Sequence, residues 1–205
     1  MTQLKWTELK GYVVDLVKSG RLVFVGVHTN NWFDFAGRLV QATGYFCHVF
    51  YCVYIDGKGR LLTIEADGKK VAWHDFDEYA NKIKSGNREL TIGYIDATPE
   101  QKKNADIEAR SQVGHNYDDG ENKWQGIVEV ISWFGNVGKL ISGQLDKIKN
   151  PMGSKEKFNC SESCTRICRY VNINIVKQNP DPKMVTPAEF MNDILLKKDF
   201  KSIKD

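Results

Sequence analysis

The sequence predicts an α+β fold in which a small antiparallel sheet packs against helices. Three observations carry that prediction. Leu22-Val23-Phe24-Val25-Gly26-Val27 and the run from Tyr45 to Ile55 (YFCHVFYCVYI) are short and dense in β-branched and aromatic residues, the composition of buried strands. The turn-forming Asp56-Gly57-Lys58-Gly59 joins the second run to a third, Arg60 to Ala66, so those two pair as a hairpin. From Thr98 onward, helix-start signals and apolar residues at helical spacing dominate.

The elements follow in chain order. Asn30-Asn31 marks a turn after the first strand, and Trp32 to Thr43 has roughly helical spacing, closed by Gly44 as a C-cap. Asp67-Gly68 turns the chain after the third strand. Val71-Ala72-Trp73 and Leu90 to Ile95 read as two more strands, with Asp75 to Lys84 helical between them. Thr98-Pro99-Glu100-Gln101 joins a capping threonine, a proline at the first helical position and a glutamine that completes a capping box. That helix should run to about Val113, with Gly114 as its stop. Tyr117-Asp118-Asp119-Gly120 reads as a turn. Gln125 to Lys149 carries an apolar stripe broken by Gly135, Gly138 and Gly143, and Asn150 to Ser154 is a loop. Cys160 to Val171 reads as a helix. Thr186-Pro187-Ala188-Glu189 repeats the capping box before a short last helix, and Lys197 to Asp205 is a polar tail.

Composition sets the class. A chain of 205 residues can bury the core of one domain. With 41% hydrophobic and 27% charged residues it is neither a disordered chain nor a membrane span. Lysine and arginine total 29 against 26 acidic residues, a balance too even to argue for nucleic acid. The first 21 residues scatter Lys5, Glu8, Lys10 and Asp15 through a stretch with no leader pattern. The expectation is a cytoplasmic protein with no membrane span. Five cysteines, an odd number, read as free thiols.

Three residues are candidates for chemistry. Cys160 sits where a loop becomes a helix, in Phe158-Asn159-Cys160-Ser161-Glu162. The N–H groups and dipole of a first helical turn favour a thiolate and can hold an oxyanion. A cysteine nucleophile needs a base, and the base needs an orienting group. His48, mid-strand, and Glu65, on the partner strand of the hairpin, are within cross-strand or diagonal reach of each other, although counting leaves their register open. Each also has a plainer reading, as a packed thiol, a structural histidine and a solvent-facing carboxylate. Cys160, Cys164 and Cys168 lie at i, i+4 and i+8 on one helical face, a poor tetrahedral clamp, so neither a metal nor another cofactor is expected. Cys164 and Cys168 read as packing residues between helix and sheet. Cys47 and Cys52 read as buried apolar residues, and the Trp32, Phe33 and Phe35 cluster as core. His28 ends the first strand, and His74 and His115 lie at loop edges.

The order of segments resembles the permuted papain-like hydrolases, the YiiX/YebB-like branch of the NlpC/P60 superfamily. The residues that carry the likeness are Thr43-Gly44-Tyr45-Phe46-Cys47-His48, Glu65-Ala66, Gly114-His115-Asn116-Tyr117-Asp118, Cys160-Ser161-Glu162 and Thr186-Pro187, in family order over residues 20 to 200. The resemblance implies one domain over 1–205 with a circularly permuted papain-like fold. Cys160 would be nucleophile, His48 general base and Glu65 the residue that orients the imidazole. Two positions depart from the family: its leading Gly-Asp is Gly20-Arg21 here, and Ser163 stands where an aliphatic residue is frequent.

Three functions follow as expectations. The first is a cysteine hydrolase that cleaves an amide in a peptide or cell-wall peptide through an acyl-enzyme. The second is a lipid acyltransferase or thioesterase, because Asn159-Cys160 is similar to the Asn-Cys motif of the lecithin:retinol acyltransferase-like relatives. The third is a non-catalytic binding module, including a phage or virion component. The expected partner is a peptide, peptidoglycan-peptide or acyl substrate, not a nucleic acid, and the oligomeric state is open.

Overall fold

The structure, a computed structural model, describes residues 6–29, 46–55, 57–84, 88–117, 157–176 and 181–196. In chain order these form α1 (Trp6–Lys18), β1 (Leu22–Thr29), β2 (His48–Ile55), β3 (Arg60–Ala66), β4 (Val71–Asp75), α2 (Glu78–Lys84) and β5 (Arg88–Ile95). Then come α3 (Pro99–Ser111), β6 (Asn116–Tyr117), β7 (Lys157–Phe158), α4 (Cys160–Tyr170), a 3₁₀ turn (Pro182–Met184) and α5 (Pro187–Leu196). The fold is mixed α+β. A five-stranded sheet, every neighbouring pair antiparallel, runs in the order β4-β3-β2-β1-β5.

The central strand β1 explains its own sequence. Val23, Val25 and Val27 belong to a core cluster with Leu9, Val13, Leu16 and Val17 of α1. Leu22 and Phe24, on the other face, belong to a second cluster with α3, α4 and α5. A strand covered on both faces reads as a continuous apolar run. Where α5 crosses β1 and β5, two strand glycines make room. A Cβ on Gly26 would lie 2.7 Å from Phe46 Cδ1 and 2.9 Å from Met191 Cγ, and one on Gly93 would lie 2.9 Å from Ile194 Cγ2.

Both expected capping boxes are present. Thr98 Oγ1 accepts from the Gln101 N–H while Gln101 Oε1 accepts from the Thr98 N–H, at 3.1 and 3.0 Å. Thr186 and Glu189 do the same at 3.2 and 2.8 Å. Gly114, in the turn that follows α3, adopts φ +97°, a left-handed conformation that glycine adopts freely.

Several expectations need correction. The helix α1 was not foreseen, though Leu9, Val13, Leu16 and Val17 recur at helical spacing and all are buried. β2 begins at His48, after Phe46 and Cys47, which lie outside the strand. The helix expected from Asp75 begins at Glu78, because β4 continues to Asp75, which pairs with Leu62. His74, expected at a loop edge, is therefore a strand residue. The helix α3 stops at Ser111 rather than Val113. Tyr117, read as part of a turn, lies in β6, which pairs in parallel with β7. The readings of a helix over 32–43, the turn at 118–120, the helical stretch 125–149, the loop 150–154 and the tail 197–205 lie outside the described residues. So does the Thr43-Gly44-Tyr45 part of the strand motif.

The crowding under α5 gives a direct check. Gly26→Ala should destabilise the protein by about 1–3 kcal/mol, because the buried Phe46 ring and Met191 side chain have to move. Gly11→Ala on the exposed side of α1 meets nothing within 4 Å and should instead stabilise by about 0.5–1 kcal/mol. Urea denaturation of the two variants should show shifts of opposite sign.

Candidate active site

The site forms where the sheet splits. The β2–β3 ladder ends at the Tyr51–Ile64 pair, while β3 stays paired to β4 as far as Ala66. Beyond that point β2 still carries His48 and Val49, and β3 carries Glu65. The N-terminus of α4 enters the gap.

Local hydrogen bonds fix that entry. Phe158, two residues before Cys160, is held by β7 against Tyr117 of β6. The N–H of Tyr117 donates to the carbonyl of Lys69 in the β3–β4 turn at 2.9 Å. Asn159 is the N-cap: its Oδ1 accepts from the Glu162 N–H at 2.7 Å, and its carbonyl accepts from the Ser163 N–H at 3.1 Å. Ser161 Oγ donates to the carbonyl of Val185 at 2.5 Å, which ties the first turn to the segment before α5. The start of α4 is therefore built into the core, with Asn159, Cys160, Ser161 and Glu162 all buried.

The three sequence candidates meet here. Glu65 follows Ile64, the last β3 residue paired to β2, and His48 lies three residues before that residue's partner Tyr51, so the two side chains meet diagonally across the end of the ladder. His48 Nε2 lies 3.2 Å from Glu65 Oε2. The thiol of Cys160 is hydrogen-bonded to His48 and also takes the backbone N–H groups of Val49 and Ser161. With Nε2 facing Glu65, the Nδ1 side of the ring is left for the sulfur.

Two residues that sequence reasoning did not single out complete the site. Thr63 Oγ1 donates to Glu65 Oε1 at 2.5 Å, and Tyr79 Oη donates to Glu65 Oε2 at 2.8 Å. Thr63 was within reach of period-two reasoning, since it precedes Glu65 by two on one strand face. Tyr79 comes from α2, and no local pattern announces it.

The electrostatics follow from this packing. Burial alone would lower the His48 pKa, but its bonds to Cys160 and Glu65 win and raise it from 6.5 to about 10. Burial would raise the Cys160 pKa, but His48 and the N–H groups of Val49 and Ser161 bring it below the ordinary 9.0. Glu65 is likewise pushed up by burial and held below 4.5 by His48, Thr63 and Tyr79. All three shifts act in one direction, toward the charged forms of the thiol, the imidazole and the carboxylate.

These shifts are also stability terms. The depressed Glu65 stabilises the fold above its unfolded value of 4.5, and this is lost as pH falls through its native value. The raised His48 stabilises fully below 6.5, and this is lost as pH rises through about 10.

The other candidates serve packing. All five cysteines are free thiols. Cys164 and Cys168 are buried at 1% and 0% exposure in the core beneath α4, and burial pushes the Cys164 thiol well up. Cys52, at 0% exposure, is raised by burial and by Glu65. Cys47, expected to be buried, is instead partly exposed, and it donates its S–H to the carbonyl of Val27 at 3.3 Å. His74 lies 3.4 Å from both Asp67 and Glu78. The ring of His115 packs edge-on against Phe158. Among the described residues, no group of three or more His, Cys, Asp and Glu side chains could hold a metal ion. Among the same residues, no helix is long and apolar enough to cross a membrane.

No protein-family model matches the chain, and no curated protein matches it.

The thiol chemistry yields a test that needs no substrate. At about pH 6, Cys160 should react with iodoacetamide at least about tenfold faster than any of the other four thiols, because it alone is both thiolate-stabilised and helix-capped. Peptide mass spectrometry over a time course reads the order. Equal labelling, or first labelling at Cys47, would contradict the assignment.

Proposed function

We propose that the protein is a cysteine hydrolase that cleaves an amide, in a peptide or cell-wall peptide, through an acyl-enzyme on Cys160. The observation that carries this reading is the hydrogen-bonded row Cys160–His48–Glu65, with a thiol pulled down and an imidazole pulled up. Buried structural cysteines show the opposite, as Cys164 does. We read the fold as the circularly permuted papain-like arrangement, supported by the strand-borne His and Glu that precede the helix-borne Cys in the chain. Triad geometry does not depend on chain order.

The chemistry follows from these positions. The Cys160 thiolate adds to the substrate carbonyl carbon. The backbone N–H of Cys160, at the first helical position, has no intrahelical partner and suits the oxyanion that forms. His48, already protonated, gives its proton to the leaving amine as the C–N bond breaks. The neutral imidazole then takes a proton from water, which attacks the acyl-enzyme and returns the thiolate. Glu65 stabilises the imidazolium and fixes the ring. The side chain of Asn159 is committed to capping α4, so the Asn-Cys pair has a structural role and lends no separate weight to acyl transfer onto lipid.

A panel of muropeptides, peptide amides and acyl esters tests the reading. For a substrate that is turned over, Cys160→Ala should abolish activity. Glu65→Gln should keep the fold and cost about a hundredfold in kcat/KM. The pH profile of kcat/KM should rise as the thiolate–imidazolium pair forms and fall as His48 loses its proton near 10. Wild-type turnover by Cys160→Ala would refute the mechanism.

A further inference from the structure

We propose that Tyr79 is a positioning residue of the thiol site: from a helix outside the strands that carry the site, its phenol holds the Glu65 carboxylate so that His48, and through it Cys160, keeps its alignment. This rests on the hydrolase reading and deepens it.

The geometry is specific. Tyr79 and His48 share one oxygen, Glu65 Oε2, at 2.8 and 3.2 Å. Thr63 takes the other oxygen. A carboxylate held by one donor can rotate about its terminal bond, whereas one held at both oxygens presents a fixed lone pair to the imidazole. Tyr79 also reaches His48 through packing. Its ring stacks on Phe50 at 5.0 Å, and the Phe50 ring lies 5.8 Å from the imidazole. At 6% exposure the phenol is shielded from water that could replace it.

The helix that bears Tyr79 is short, seven residues, and is anchored from outside. Asp77, just before α2, takes Trp6 Nε1 at 3.2 Å and Lys10 Nζ at 2.6 Å from α1. Trp6 stacks on Phe76 at 5.0 Å. Contacts with α1 thus hold the start of the helix whose Tyr79 reaches Glu65 and, through it, His48.

The charge environment sets the sign of the effect. Glu65 faces His48 and Cys52 from β2, Thr63 on its own strand, Tyr79 from α2 and Cys164 from α4, with Cys160 on the other side of His48. Tyr79 feels Arg88 of β5 and Cys47 as well. A donated O–H favours the charged carboxylate, so its removal raises the Glu65 pKa. Proton uptake by Glu65 then withdraws support from the imidazolium at a higher pH, and the thiolate is lost with it.

The test uses the full-length protein with Tyr79→Phe, which keeps the ring and removes only the hydroxyl, and Thr63→Val as a second variant. The pH dependence of Cys160 alkylation by iodoacetamide and the carbon-13 titration of the Glu65 carboxyl are both measured. In Tyr79→Phe the Glu65 midpoint and the acid limb of alkylation should move up together by about one pH unit, about a tenfold slower reaction on that limb. Thr63→Val should move both in the same direction. A merely structural role would lower thermal stability and leave the alkylation limb in place, which overturns the inference. A limb fixed in Tyr79→Phe while wild-type Cys160 still reacts fast at about pH 6 sinks this inference alone. A wild-type Cys160 no faster than the other thiols sinks the hydrolase reading and this inference with it.

Discussion

Glu65 keeps only 4% of its surface in contact with solvent, and an ionised carboxylate that buried costs several kcal/mol unless donors replace its water. The architecture around it supplies those donors from three elements. β3 gives Thr63, α2 gives Tyr79 and β2 gives His48. Once the carboxylate is satisfied in this way, the imidazole beside it is held as a cation, and a cation at that place draws the proton off Cys160. The pull on the Cys160 proton is thus a consequence of a buried acid one residue past the end of the β2–β3 ladder.

The split in the sheet is the second requirement. If β2 and β3 stayed paired through Ala66, the N–H of Val49 would be committed to the ladder and α4 would have no place to enter. Because pairing stops at Tyr51–Ile64, that N–H serves the sulfur of Cys160 at the N-terminal end of α4. The same region shows why a core helix carries so much polarity. Asn159, Ser161 and Ser163 are buried yet bonded, to the Glu162 N–H, the Val185 carbonyl and Gln112.

Much of this was legible in the sequence, and the exceptions have physical causes. The strands β1 and β3, the hairpin, the two capping boxes and the start of α4 are written in local chemistry: period, turn residues and side chains that reach their own backbone. Cys160, His48 and Glu65 carry motif-level signals, and the hairpin alone brings the last two into range. Their register was not legible, because a four-residue connection admits more than one pairing, and only the Ile55–Arg60 closure fixes it. Tyr79 was hidden because its bond to Glu65 spans fourteen residues and depends on how α2 folds back over the sheet. The helix α1 was overlooked because its apolar residues are interleaved with Lys10, Gly11 and Asp15. The stripe shows when its period is counted but not as a run. Asp75 reads as a helix start by composition, yet its carboxylate accepts the Asp77 N–H at 3.0 Å and makes a turn after the strand.

The ion pair at Cys160 is the claim on which the rest stands, and thiolate absorbance in the ultraviolet measures it without a substrate. The difference spectrum between wild type and Cys160→Ser, followed against pH, isolates this one thiol. A thiolate signal already present at about pH 6, carried by one cysteine, is the predicted result. A signal that appears only as the pH passes the ordinary thiol value of 9.0 would contradict the thiolate–imidazolium site.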